Sequence, residues 1–157
     1  MEQNMATPPS VNAPGDASFN AADRLAIINL FGAYAQSYDA GKTDEFLSVF
    51  TEKVELIYMS GNKVVAEGVA QVTQAMPGRV KAFQAAKMQR RHGLTSYAFT
   101  SQTDNEASGR LYFQVFSITD GGAPSVAVTG YYEFTAVKKC NTWKFSRWIA
   151  HGDQSLD

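Results

Sequence analysis

Four side chains supply the groups that proton chemistry needs: Tyr38, Asp39, Tyr58 and His92. An imidazole titrates near neutrality, so His92 can take a proton and return it within one turnover. Asp39 can hold one ring nitrogen as a donor, which fixes the tautomer and stabilises the imidazolium as it forms. Tyr38 and Tyr58 offer phenolic hydroxyls to a carbonyl oxygen that gains charge as an enolate develops. Preorganised donors of this kind are each worth on the order of 3 kcal/mol in the transition state. The chemistry described is removal of a proton beside a carbonyl, without a cofactor. Loss of a β-hydroxyl makes it a dehydration, return of the proton elsewhere an isomerisation, and attack on an internal carbon a cyclisation; a retro-aldol carbon–carbon cleavage needs nearly the same acid and base.

Each residue also has a plainer use. A histidine between Arg91 and Gly93 can be a surface or satisfied core residue, and both tyrosines can be ordinary inward aromatics. A pocket that keeps the aromatics without the His92–Asp39 pair describes a non-catalytic ligand carrier. Asp39 resists the plain reading, because an acid at the end of a helix opposes the dipole there and needs another reason for its position.

These side chains are far apart in the chain, so the elements between them decide whether they meet. Met1 to Ser18 combines Pro8, Pro9, Pro14 and Gly15 with almost nothing to bury and reads as a loose tail, leaving residues 19–157 as one domain. Asn20 can cap a helix in which Leu25, Ile27, Ile28, Phe31, Tyr34, Ala35 and Tyr38 recur at helical spacing until Gly41 ends it. Thr43 caps a short second helix, Asp44 to Phe50. Val54 to Met59 and Lys63 to Glu67 form a hairpin, and Pro77-Gly78 divides the next region into two short helices, Val69 to Ala75 and Arg79 to Met88. The remainder, from Arg90 to Ala150, is strands joined by tight turns. Helices first and a long, bending antiparallel or mixed sheet afterwards give an α+β class: a cone-shaped barrel of curved sheet wrapped around the N-terminal helices, with a cavity between them.

Composition narrows the function. Of 157 residues 45% are hydrophobic, enough for one well-filled core. Fourteen basic and fifteen acidic residues leave a net charge of −1, which lacks the electrostatic footprint of nucleic-acid binding. Lys87, Arg90 and Arg91 form the one local basic cluster and read as a solvated edge. The single cysteine, Cys140, sits in a turn and excludes an internal disulfide. His92 and His151 lack the spacing of a zinc or iron site, and no glycine-rich phosphate loop follows a strand, so neither a metal nor a nucleotide cofactor is expected. With no apolar run of membrane-spanning length and no signal-peptide pattern at the start, no membrane partner and a cytoplasmic location are expected. Ten Phe, seven Tyr and two Trp suggest an aromatic lining for a hydrophobic, cyclic or aromatic small molecule. His151, with Asp153 close by, is either a lid on the cavity or tail.

The run Asp23-Arg24-Leu25-Ala26-Ile27, the segment Tyr34-Ala35-Gln36-Ser37-Tyr38-Asp39-Ala40-Gly41, the phrase Phe50-Thr51-Glu52-Lys53-Val54 and the later Arg91-His92 stand in an order that resembles the SnoaL-like proteins of the nuclear transport factor 2-like superfamily. Within it the pattern is closest to scytalone dehydratase, over about Ala21 to Ile149. The resemblance implies the same cone-shaped α+β fold. It places Tyr38 and Asp39 on the pair that closes the family's first helix, Tyr58 on the tyrosine of its first strand, and His92 on its histidine. It also implies a homodimer or homotrimer. A second histidine of the family has no counterpart between Ala107 and Thr119, where Gln114 or Ser117 stands instead, and Glu133 lies near the family's asparagine. Gln114, Ser117, Glu133, Phe116 and Tyr34 are therefore the expected substrate contacts, and the altered polar positions imply a different substrate.

Overall fold

The computed structural model describes residues 14–15 and 20–154. They form helices α1 (Ala21–Ala40), α2 (Thr43–Ser48) and α3 (Val69–Ala85) and strands β1 (Phe50–Ser60), β2 (Lys63–Glu67), β3 (Met88–Gln102), β4 (Glu106–Thr119), β5 (Ser125–Lys139) and β6 (Thr142–Gly152). The segment read as a tail, residues 1–18, lies outside the described residues apart from Pro14 and Gly15.

Both ends of α1 are set locally. The Asn20 side chain accepts from the Asp23 backbone N–H at 3.2 Å, which satisfies a donor that the first turn leaves unpaired. Gly41 ends the helix in the left-handed region at φ 68°. A Cβ there would stand 2.2 Å from Cγ2 of Val80, so glycine also lets α3 close onto the end of α1. Ile27, Phe31, Tyr34 and Ala35, at helical spacing, are buried against the sheet. Leu25, expected in the same stripe, is 67% exposed.

The sheet has the order β2-β1-β6-β5-β4-β3, with β1 and β6 parallel and the other neighbours antiparallel. This is the expected α+β cone, a mixed sheet bent by register shifts at Thr95/Ala98, Val115/Phe116 and Thr135/Ala136. It stays open, because β2 and β3 are edges that do not pair with each other. β1 begins at Phe50, four residues before the expected start, since Phe50 pairs with Phe145 of β6. That parallel partner lies almost a hundred positions away and is invisible to local pattern.

The expected break at Pro77 does not occur, and α3 runs straight through it. Proline forgoes its hydrogen bond to the Thr73 carbonyl, a defect of about 3 kcal/mol in a free helix. Packing on both sides offsets it: Val72 and Met76 are buried before the proline, and after it Val80 meets Gly41 while Arg79 donates to Tyr38. The outcome matters for function, because the second half of α3 carries Arg79 and Phe83 to the cavity.

In the first turn of α1, Asp23 accepts from Trp143 Nε1 at 2.8 Å and from Lys138 Nζ at 2.9 Å. The hydrogen bonds from Trp143 and then Lys138 hold its carboxyl below the usual carboxylate range. A depressed folded pKa contributes stability that is present above the unfolded value, about 3.9, and is lost as pH falls through the folded one. The melting temperature of the wild type should therefore exceed that of Asp23→Asn at neutral pH, with the gap closing as the pH drops below about 4. A gap unchanged down to acid pH would show that the ionised carboxylate is not what ties α1 to β5 and β6.

Candidate active site

Residues Tyr58, Ala150 and Tyr132 lie side by side across β1, β6 and β5, all facing the helices. Ala150 is the small member of that row, and the room it leaves between two tyrosines opens a cavity of about 450 Å³. In the next row Gly152 and Gly130 are neighbours. A Cβ on Gly130 would stand 2.0 Å from the His151 carbonyl and 2.7 Å from the Phe113 ring, so the strand is bare there to let that ring lie on it. Phe113 in turn stacks on Tyr132 with centroids 4.5 Å apart. Volume of this size, walled by apolar side chains with a few convergent polar groups, suits a small molecule.

The polar groups enter from the helices and from β3. Asp39 projects from the last turn of α1 and accepts twice from His92 of β3, from the backbone N–H to Oδ2 at 2.8 Å and from ring Nδ1 to Oδ1 at 2.6 Å. The two side chains are 8% and 10% exposed, so the pair sits in a nearly dry setting where charge-assisted bonds are strong. This double contact is the reason for an acid at the helix end. A carboxylate only accepts, so against it Nδ1 carries a proton, and in the neutral imidazole Nε2 keeps the lone pair. The Tyr38 hydroxyl accepts from Arg79 Nη1, and the Arg79 guanidinium carbon lies 3.9 Å from the centroid of the Tyr38 ring.

Tyr58 stands beside Tyr38 with ring centroids 6.0 Å apart. Its hydroxyl is 2.8 Å from that of Tyr34, which is itself 3.5 Å from the hydroxyl of Tyr132. Burial raises the pKa of Tyr34, Tyr58 and Tyr132 alike, which keeps the three phenols neutral and available as donors. His92 and Asp39 also border an outer groove between α1, α3 and β3, but that groove contains no tyrosine. Among the described residues, no three His, Cys, Asp or Glu side chains converge as a metal site requires.

The structure thus brings Tyr38, Asp39, Tyr58 and His92 to one cavity wall, while the expected substrate contacts fall elsewhere. Tyr34 is fully buried behind Tyr58 and does not line the cavity. Gln114 and Phe116 alternate with the inward Phe113 and Val115, which puts them on the far face of β4, beside Gly93. Ser117 is on the cavity's side of the sheet, opposite Arg90, but lies beyond the lining. Glu133 alternates with the inward Tyr132 and Phe134, so it faces outward between Arg110 at 3.2 Å and Arg147 at 3.3 Å. Burial works to raise its pKa, and Arg110, His151 and Arg147 together overcome this and lower it. His151 is neither lid nor tail. It is part of β6, on the outer face, stacked on Tyr131 at 4.3 Å and 3.7 Å from Glu133.

The cavity residues that the sequence did not single out include Arg79, Arg90 and Tyr132. Arg90 shares its strand face with His92 two residues on, and Arg79 its helix face with Phe83 four residues on. These two periods were the available signals.

The family model for the SnoaL-like domain matches residues 20–149, most of the chain. The chain belongs to the SnoaL-like family. No curated protein matches it. Among solved structures, this SnoaL-like protein resembles a nuclear transport factor 2-like protein with a cystatin-like fold from Novosphingobium aromaticivorans (TM-score 0.69, 20% identity, covering 86% of this chain and 85% of that one). It also resembles a candidate scytalone dehydratase from the same organism (TM-score 0.68, 20% identity, 85% of each chain). A third similar structure is ActVI-ORFA from Streptomyces coelicolor (TM-score 0.69, 19% identity, 84% of this chain and 98% of that one). At these identities the likeness is one of fold, and the residues of the cavity carry the functional argument. No helix among the described residues is long and apolar enough to cross a membrane.

Proposed function

We propose that this SnoaL-like protein is a cofactor-independent lyase or isomerase that removes a proton next to the carbonyl of a cyclic or aromatic small molecule. The observation that carries this reading is the Asp39–His92 contact at 2.6 Å in the wall of an aromatic cavity. In this reading Nε2 of His92 takes the proton, and Asp39 stabilises the imidazolium that results. Tyr34 has one proton to give. Its contact to Tyr132 at 3.5 Å uses that proton; given instead to Tyr58 at 2.8 Å once a substrate oxygen arrives, it leaves the proton of Tyr58 free for the oxygen of the developing enolate. Tyr38 is polarised by the guanidinium of Arg79 and supplies a second donor. Where the substrate carries a β-hydroxyl, the proton held on His92 leaves with it as water, and the reaction is a dehydration.

The test is to incubate the purified protein in deuterated water with cyclic β-hydroxy ketones and aryl ketones. Deuterium incorporation next to the carbonyl and loss of water are followed by NMR and mass spectrometry. Exchange or dehydration that depends on His92 supports the proposal. Tight binding of these ketones without exchange, or exchange that His92→Ala leaves intact, would reduce the pocket to a ligand carrier or move the chemistry elsewhere.

A further inference from the structure

The charged lining of the cavity is unbalanced. Two guanidiniums, Arg79 from α3 and Arg90 from β3, face one carboxylate, Asp39, whose two oxygens are each already committed to an N–H of His92. Neither arginine has an acidic side chain within ion-pair distance among the described residues. Nε of Arg90 is buried without any hydrogen-bond partner, which is a costly condition for a charged donor unless something else completes it. Each guanidinium lies over a ring, Arg79 over Tyr38 at 3.9 Å and Arg90 over Phe83 at 5.4 Å, an arrangement that fixes the planar fork; Nη1 and Nη2 of Arg79 each give one N–H to Tyr38, to its hydroxyl and its backbone carbonyl, and each keeps a second for a ligand. Burial, and then the charge of Arg79, disfavour the ionised form of Arg90, so two cations share a poorly solvated wall at some expense to the empty state.

We infer that the ligand of this cavity carries a carboxylate, gripped by Arg79 and Arg90, on an aromatic body held by Phe83, Phe113 and Val115. The inference rests on the reading of the inner cavity as the ligand site and adds the chemical class of what enters it. One further negative charge neutralises the lining, which favours a monoanionic carboxylate over a dianionic phosphate. The fork of a stacked guanidinium matches the two oxygens of a carboxylate directly. Anchoring at this end also orients the rest of the molecule, because Tyr38 links Arg79 to the His92 wall.

Equilibrium binding of naphthoate and of its neutral isostere naphthamide, measured by titration calorimetry on the full chain, tests the inference. Naphthoate should bind tighter by on the order of 10- to 100-fold, as hydrogen bonds to a charged partner allow. Arg79→Gln and Arg90→Gln should each collapse that ratio by weakening naphthoate far more than naphthamide, whose neutral carbonyl a glutamine amide can still serve, and Arg90→Lys should retain part of it by keeping the charge without the fork. The naphthamide arm shows that each variant keeps its cavity. Equal or tighter binding of naphthamide by the wild type, a preference that survives both glutamine variants, or no binding of naphthoate in the millimolar range would each overturn the inference. The readout needs no turnover, so failure of the exchange experiment leaves a carboxylate preference standing. Turnover of neutral ketones without any such preference would sink this inference and spare the proton chemistry.

Discussion

Substituting His92 by alanine will lower turnover on the order of 10²- to 10⁴-fold, the usual contribution of a positioned general acid and base. Asp39→Asn will fall nearly as far, although it exchanges a single heavy atom. His92 presents two N–H groups to Asp39, and asparagine offers one acceptor and one donor. The backbone N–H cannot change its nature, so the amide oxygen goes to it and the NH₂ group meets Nδ1. The ring must then move its proton to Nε2, which deprives it of the lone pair that takes the substrate proton. The opposite amide orientation leaves a buried backbone N–H facing a donor, a loss of about 1–3 kcal/mol. The kcat of Asp39→Asn should fall with KM nearly unchanged, and imidazole ¹⁵N shifts should report the tautomer with the proton on Nε2. A variant that keeps the wild-type tautomer and rate would show that Asp39 is structural only.

The largest effect on stability is expected at Trp148, which is fully buried on β6. Its ring lies 4.5 Å from Tyr34 and from Tyr132, 4.6 Å from Phe145 and 6.0 Å from Phe31. Trp148→Ala should cost about 3–5 kcal/mol by lost burial and the void left behind. For a domain of ordinary stability, about 5–15 kcal/mol in total, that is a large share. Urea unfolding gives the value, and Trp148→Phe should restore much of it. Tyr34 and Tyr132 lose the surface they rest on, so the hydroxyl that backs Tyr58 loses its fixed place. A loss below about 1 kcal/mol would mean that the surrounding rings collapse into the gap, against the usual stiffness of packed interiors.

The parts of this fold that were legible in the sequence are those with local causes. Asn20 and Gly41 bound α1 because caps depend on neighbouring backbone groups. The Cys140–Asn141 turn joins β5 to β6 with both residues at positive φ, where asparagine is at ease and the unbranched cysteine is tolerated. Pro77 misled because its local defect is offset by contacts to Gly41 and Tyr38 from another element. Gln114, Phe116 and Glu133 were expected in the pocket because a family position says nothing about register, and a shift of one residue moves a side chain to the other face. Charge alone groups Arg90 with Lys87 and Arg91, whereas its spacing from His92 is the better guide to where it points. The His92–Asp39 pairing was legible for a different reason: a carboxylate that opposes its own helix dipole needs a distant partner.

The histidine–carboxylate pair is assembled from α1 and β3, whereas the room beside it is set by the bare positions Ala150 and Gly152 on β6. On the proposed reading, proton transfer and fit are therefore specified on separate pieces of the scaffold. A lineage can retailor the chamber to bulkier or slimmer guests by exchanging one methyl on β6, without disturbing the contact between the imidazole and its carboxylate.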